Sequence, residues 1–176
     1  MSAWKHLCTV MHHKKLVAQG CFKVGLYKQG LLHDMSKFSW TEFRVGAKYY
    51  QGTRSPNNAE REEKGYSTAW LHHKGRNKHH LEYWVDYNGG EASGLGGMRM
   101  PDKYVVEMFM DRIAASKVYM GKEYTDKSPW EYYQRGKVLL HPEVKTLLEH
   151  MLNMLAEKGE EPTFQYIKKE ILQKRS

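Results

Sequence analysis

Cysteine is scarce in this chain: Cys8 and Cys21 are the only two among 176 residues. Two isolated thiols cannot form a disulfide framework, and they suit a reducing compartment, so a cytoplasmic location is expected. Long apolar runs are also missing. None approaches the roughly 20 residues needed to span a bilayer, so no membrane association is expected. Residues 1–13 carry His and Lys among their apolar positions and lack a small-residue cleavage site, so no signal peptide is expected there. Alternating β-branched runs bounded by turns are absent, which argues against a β architecture and leaves helical periodicity dominant. No internal repeat, low-complexity tract or block of roughly five like charges occurs, which disfavours a basic nucleic-acid-binding tail.

Positive charge and histidine are abundant. The formal net charge is +8, a field that favours anionic partners: small phosphorylated molecules, nucleotides or, less favoured, nucleic acid. Ten histidines are present, and six form adjacent pairs: His12-His13, His72-His73 and His79-His80. Neutral imidazole binds zinc, iron, nickel and copper, so clustering on this scale points to a metal. With 40% hydrophobic residues, the chain can bury a core without staples. An all-α fold is expected, with a metal-binding helical domain over residues 1–158 and a basic helix over residues 159–176.

The periodicity predicts a helix over residues 3–24 with an apolar stripe of Trp4, Leu7, Val10 and Met11. Residues 27–30 read as a turn and residues 31–38 as a short helical piece. Ser39 and Glu42 form a capping-box pattern that starts a helix to residue 50. One long helix is expected over residues 59–85. Five glycines mark residues 88–101 as a loop and, by its position, a candidate lid. Further helices are expected over 102–122, where Val105, Phe109 and Ile113 are spaced by four, over 129–135, and over 142–157. Thr163 is expected to cap the last one.

The central motif is Leu31-Leu32-His33-Asp34-Met35-Ser36-Lys37-Phe38. Adjacent His and Asp side chains reach one cation only if a local turn brings them together. The segment, with two leucines before the pair and a lysine three residues after the aspartate, resembles the LLHDxxK motif of the HD phosphohydrolase superfamily. His13, followed by Val17-Ala18, resembles that superfamily's earlier histidine, and Asp111 its later aspartate. The resemblance implies an HD-like helical bundle and a metal set of His13, His33, Asp34 and Asp111. More narrowly, the chain resembles DUF5662, a family of bacterial and phage proteins, so the expected cytoplasm becomes the host's for a phage-encoded chain. The shared marks include His33 to Phe38 with Glu42-Phe43, Ala69 to His73, Asn77 to His80 with Tyr83-Trp84, and Glu107-Met108 before Asp111.

Some HD proteins hold two metals, using two further histidines. On one helix, His73, Asn77, His80 and Trp84 would form one stripe, and His72, Arg76, His79 and Tyr83 its neighbour. Within either stripe the histidines stand about 10 Å apart, too far for a single ion unless the helix kinks near Gly75. The stripe containing Asn77 makes His73 and His80 the preferred additional ligands. Lys37, one turn from Asp34, is positioned to meet a phosphate as a point charge, with Arg76, Asn77 and His79 beside the substrate. His6, His141 and His150 read as structural histidines.

The expected function is metal-dependent hydrolysis of a phosphate ester, a nucleotide among the candidates, using one or two divalent ions. Manganese, zinc, iron, nickel, cobalt and magnesium all fit at this level. Asp34 would orient the attacking water and Lys37 would offset developing negative charge. An oxygen-activating di-iron enzyme uses a similar ligand set. A basic nucleic-acid- or protein-binding module with a structural metal is the non-catalytic alternative.

Overall fold

A computed structural model describes residues 2–88, 94–136 and 139–173. The fold is all-α apart from one small hairpin. α1 (Ser2–Lys23) and α2 (Tyr27–Leu32) lead into a 3-10 turn, Met35–Phe38. α3 (Trp40–Lys48), α4 (Pro56–Lys64) and α5 (Thr68–Lys74) follow, then a second 3-10 turn, Leu81–Trp84. β1 (Val85–Asn88) pairs antiparallel with β2 (Gly94–Gly97) before the long α6 (Asp102–Met120). α7 (Ser128–Gln134), α8 (Pro142–Lys158), α9 (Glu160–Tyr166) and a π-helical stretch, Ile167–Leu172, complete the chain.

α6 is the central element. Val105 to Met110, with Ile113 and Ala114, are buried around its circumference, as expected of a helix enclosed by others. Phe109 at its middle is fully buried, and truncation to alanine would cost about 3–5 kcal/mol. α8 contributes Val144, Leu148, Met151, Leu152 and Leu155, which share one face at helical spacing. Phe164, Ile167 and Ile171 from the final segment enter the same core. That segment begins earlier than residue 163: Gly159, at φ 81°, ends α8, and Thr163 donates back to its carbonyl from inside α9.

Four further sequence-based expectations differ from the structure. The buried stripe of α1 is His6, Val10, His13, Val17 and Cys21, whereas Trp4 and Met11 are exposed. Val10 is the expected stripe residue that does face inward; polar histidines fill much of the rest of that face, so apolar residues alone placed its centre wrongly. Residues 27–30 belong to α2 rather than a turn; Lys14 of α1 secures the end of that helix by donating to the carbonyls of Leu31 and His33. The single helix over 59–85 is broken twice. Gly65, at φ 80°, caps α4, and the chain leaves α5 at Gly75. The glycine-rich stretch 88–101 is partly β2. Gly97 lies against the backbone of residues 139–141, where a Cβ would collide, which explains a glycine there. Residues 89–93 of the candidate lid lie outside the described residues.

α3, α4 and α5 enclose a smaller core of Val45, Tyr49, Ala59 and Ala69. It is held by Glu60, whose buried carboxylate accepts from Ser67 and Thr68 hydroxyls, Lys64 and the Ala69 amide. This junction fixes where α5 starts, and therefore where His73 points.

Candidate metal centre

Asp34 lies between α2 and the first 3-10 turn with φ 55°, the only non-glycine residue in the left-handed region among those described. Side chains of consecutive residues in a helix diverge by about 100°. The left-handed step is the local turn that lets His33 and Asp34 converge, and aspartate tolerates it better than most residues. Both are buried, at 1% and 2% exposure.

The two carboxylate oxygens of Asp34 face different histidines. His33 Nε2 lies 3.3 Å and His13 Nε2 3.9 Å from Oδ2. Asp111 Oδ1 closes that group, 2.9 Å from His13 Nε2 and 3.8 Å from His33 Nε2. On the other side, His73 Nε2 and His79 Nε2 lie 3.2 and 3.3 Å from Oδ1. His80 Nε2 completes that side, 2.8 Å from His73 Nε2. In each set, one ligand atom per residue lies within 4.8 Å of all the others, close enough to surround one ion.

Outer carboxylates fix several rings. Glu107 Oε1 accepts from His33 Nδ1 at 3.0 Å and from His79 Nδ1 at 3.1 Å. Glu42 accepts from His73 Nδ1 at 2.8 Å and from His72 Nδ1 at 2.6 Å. A proton held on Nδ1 leaves the Nε2 lone pair pointing inward, as a metal-binding histidine requires. The inward atoms bear this out: His13 Nε2, His33 Nε2, His79 Nε2 and Asp34 Oδ1 are buried without a hydrogen-bond partner. Buried polar atoms left unpaired are costly, and several aimed at one point fit a cation. The residues therefore suit a divalent metal.

A family model described as a family of unknown function (DUF5662) matches residues 2–154. The chain belongs to that family. No curated protein and no solved structure matches it. Every residue in both sets of this DUF5662 chain falls within the matched span, and so do Glu42 and Glu107.

Electrostatics follow from this crowding. Burial alone would raise the pKa of Asp34, but His33, Lys37 and His73 outweigh it and hold the carboxylate well below its usual range. Asp111 behaves likewise: burial is overcome mainly by His13. Burial alone would lower His79, yet the carboxylates of Asp34 and Glu107 beside it push it up to about 10. His80 goes the other way, lowered by burial and by its positive neighbours. Lys37 Nζ sits 2.6 Å from Asp34 Oδ2 and is held charged by it against burial.

The structure distributes the sequence candidates as follows. His13, His33, Asp34, His73, His80 and Asp111 meet at the centre. His79, expected beside the substrate, lies in the centre itself. His72 turns to Glu42 and its neighbour His73 turns inward. Asn77 is a brace, donating to Ser36 Oγ and the His73 carbonyl. Arg76 is exposed and donates to the His72 carbonyl. His141 accepts from the Glu143 amide at the entry to α8, and buried His6 is lowered to about 4 by burial and by Lys37.

Glu42 and Glu107 were missed as functional residues. Glu42 sits three residues after Ser39, and the sequence reads it as a cap. Ser39 Oγ does accept from the Glu42 amide, but the Ser39 amide donates to the Ser36 carbonyl, which frees the glutamate for the histidines. Glu107 stands four residues before Asp111 on the same face of α6, and that spacing is the signal available in the sequence.

Proposed function

We propose that this protein is a metal-dependent phosphohydrolase of the HD superfamily acting on a small phosphate ester, a nucleotide among the candidates. The observation that carries this reading is the position of Asp34, one oxygen toward His13, His33 and Asp111 and the other toward His73, His79 and His80. A carboxylate so placed would contribute one oxygen to each of two ions, an arrangement suited to two-metal hydrolysis of phosphate esters. When bound, divalent ions supply Lewis acidity and a water acidified towards neutral pH.

The protein's own residues do the rest. Glu107 and Glu42 keep His33, His79 and His73 in the tautomer that faces inward. Lys37 follows Asp34 within a 3-10 turn, where its amide donates to the Asp34 carbonyl, so its ammonium is fixed close to the carboxylate. With its side chain 31% exposed, it can meet a phosphoryl oxygen and offset charge that grows in the transition state. Asp111, 19% exposed at the side chain, marks the same edge of the centre as the route by which substrate reaches it. The net charge of +8 favours the approach of an anion.

The test is a screen of phosphomonoesters and nucleotides with the metal-loaded protein and Asp34→Asn. Asparagine keeps the shape and tolerates the left-handed backbone. Turnover by the wild type, lost in the variant with folding intact, supports the reading. Turnover equal in both overturns it. A second reading, oxygen activation by two irons, is favoured by the nitrogen-rich side of the centre. Anaerobic purification with iron analysis and EPR separates the two.

A further inference from the structure

Lys37 and Asp111 mark the open edge of the centre, and a groove runs from that edge along α1. Its floor is the first half of α1, from His13 back to Trp4. The last turns of α6 border one side: Asp111 meets His13, and Val118 lies two turns further along the same face of α6. The end of α3 and the residues after it border the other, where the ring of His6 packs so closely that a Cβ on Gly46 would collide with it, and where Tyr50 contacts the same ring. Tyr119 links the two ends of the groove, because Lys37, Asp111 and Tyr50 are all its electrostatic neighbours.

The far end of the groove is a cavity of about 380 Å³ whose lining includes Trp4, Thr9, His12, Tyr50 and Val118. That volume lies within the range of small-molecule sites. Thr9 stands one helical turn from His13 and Val118 two turns from Asp111, which puts the cavity about 6–10 Å from the centre. One sugar fills such a gap between a phosphate and a base.

The lining has the chemistry of a base site. Trp4, His12 and Tyr50 contribute planar rings, and the Trp4 indole is 69% exposed. An exposed indole at the rim of a cavity is a stacking surface for another flat ring. The hydrogen bonds set what that ring must carry. Thr9 Oγ1 donates its only proton to the Lys5 carbonyl at 3.1 Å. The Tyr50 hydroxyl, 2.9 Å from Thr9 Oγ1, is therefore the donor of that pair. Its oxygen keeps acceptor lone pairs, and no other hydrogen bond reaches it among the described residues. An N–H on the edge of a flat ring is the group that matches.

We infer that this cavity binds the base of a nucleoside, which stacks on Trp4 and donates an N–H to the Tyr50 oxygen. The sugar then lies along the groove and its phosphate reaches Lys37, a placement that rests on the phosphohydrolase reading.

The probes are adenosine, purine riboside and ribose, each added to the full-length protein and followed by saturation-transfer NMR. None carries a phosphate, so the readout requires neither turnover nor metal. Adenosine should bind, with its base protons saturated more strongly than its sugar protons, and ribose should give no signal. Purine riboside, which lacks the base N–H, should bind more weakly than adenosine. Trp4→Ala should weaken adenosine binding about 5–100-fold, the scale of one lost base stack. Trp4 is exposed, so the variant keeps its fold, and the comparison of ligands on the wild type decides without any variant. Absence of base signals, equal binding of adenosine and purine riboside, or adenosine binding unchanged in Trp4→Ala overturns the inference. Nucleoside binding by a protein that hydrolyses no phosphate ester would leave this inference standing and remove the hydrolytic reading. Hydrolysis of ribose 5-phosphate as efficient as that of nucleotides would do the reverse.

Discussion

The Nε2 atoms of His73 and His80 stand 2.8 Å apart although seven residues separate them. On a straight helix they would be about 10 Å apart along the axis. The end of α5 at Lys74 and the turn that follows bring the second histidine back over the first. Two imidazole nitrogens at that distance need a proton or a cation between them, since two lone pairs repel.

Metal removal should therefore destabilise the fold. Dialysis against a strong chelator should lower the melting temperature, and stoichiometric zinc or manganese should restore it. A ligand present at about a thousand times its Kd stabilises by about 4 kcal/mol. Thermal unfolding with and without chelator reads the effect, and an unchanged melting temperature would count against metal binding in the folded state.

Glu107 orients two histidines from opposite sides of Asp34 through one oxygen. Glu107→Gln should weaken metal affinity by about 10–100-fold, the usual effect of losing an outer carboxylate. Competition against a fluorescent chelator measures it. Wild-type affinity in the variant would reduce Glu107 to a packing role.

Lys37→Ala should lower kcat on phosphate esters by about 10²–10³-fold, the scale for losing one donor to developing negative charge. Metal content should be unchanged, because Lys37 contributes no ligand. Steady-state kinetics with elemental analysis checks both, and loss of metal in the variant would assign Lys37 to the architecture of the centre.

Glu60 should make the α4–α5 junction sensitive to acid. Burial alone would raise its pKa, but hydrogen bonds from Thr68, Ser67, Lys64 and the Ala69 amide lower it from 4.5 to about 2. A depressed folded-state value contributes stability that is complete above about pH 4.5 and is lost as pH falls towards 2. Glu60→Gln should cost on the order of 2 kcal/mol at pH 7 and progressively less below pH 4. Urea unfolding at both pH values tests the sign. A penalty that does not shrink in acid would mean that the carboxylate's charge is not what stabilises the junction.

Much of this protein was legible in its sequence, because local rules govern it. The apolar period of α8, Gly159 as its terminator, and the His33-Asp34 pair require no knowledge of distant residues. The burial pattern of α1 was not legible: its inward face carries His6 and His13, and hydrophobicity cannot distinguish a buried polar side chain from a solvated one. Nor were Glu42 and Glu107, whose partners lie 30–31 and 28–74 residues away.

The sequence by itself determined an all-helical chain carrying a His-Asp pair and a surplus of imidazole, since composition and short-range periodicity act along the chain. Only the tertiary structure decided which histidines meet. The left-handed step at Asp34 and the breaks at Gly65 and Gly75 set directions that only packing around α6 turns into a convergence. A side chain becomes a ligand through the direction in which its lone pair is held, and here that direction is held by carboxylates distant in the chain.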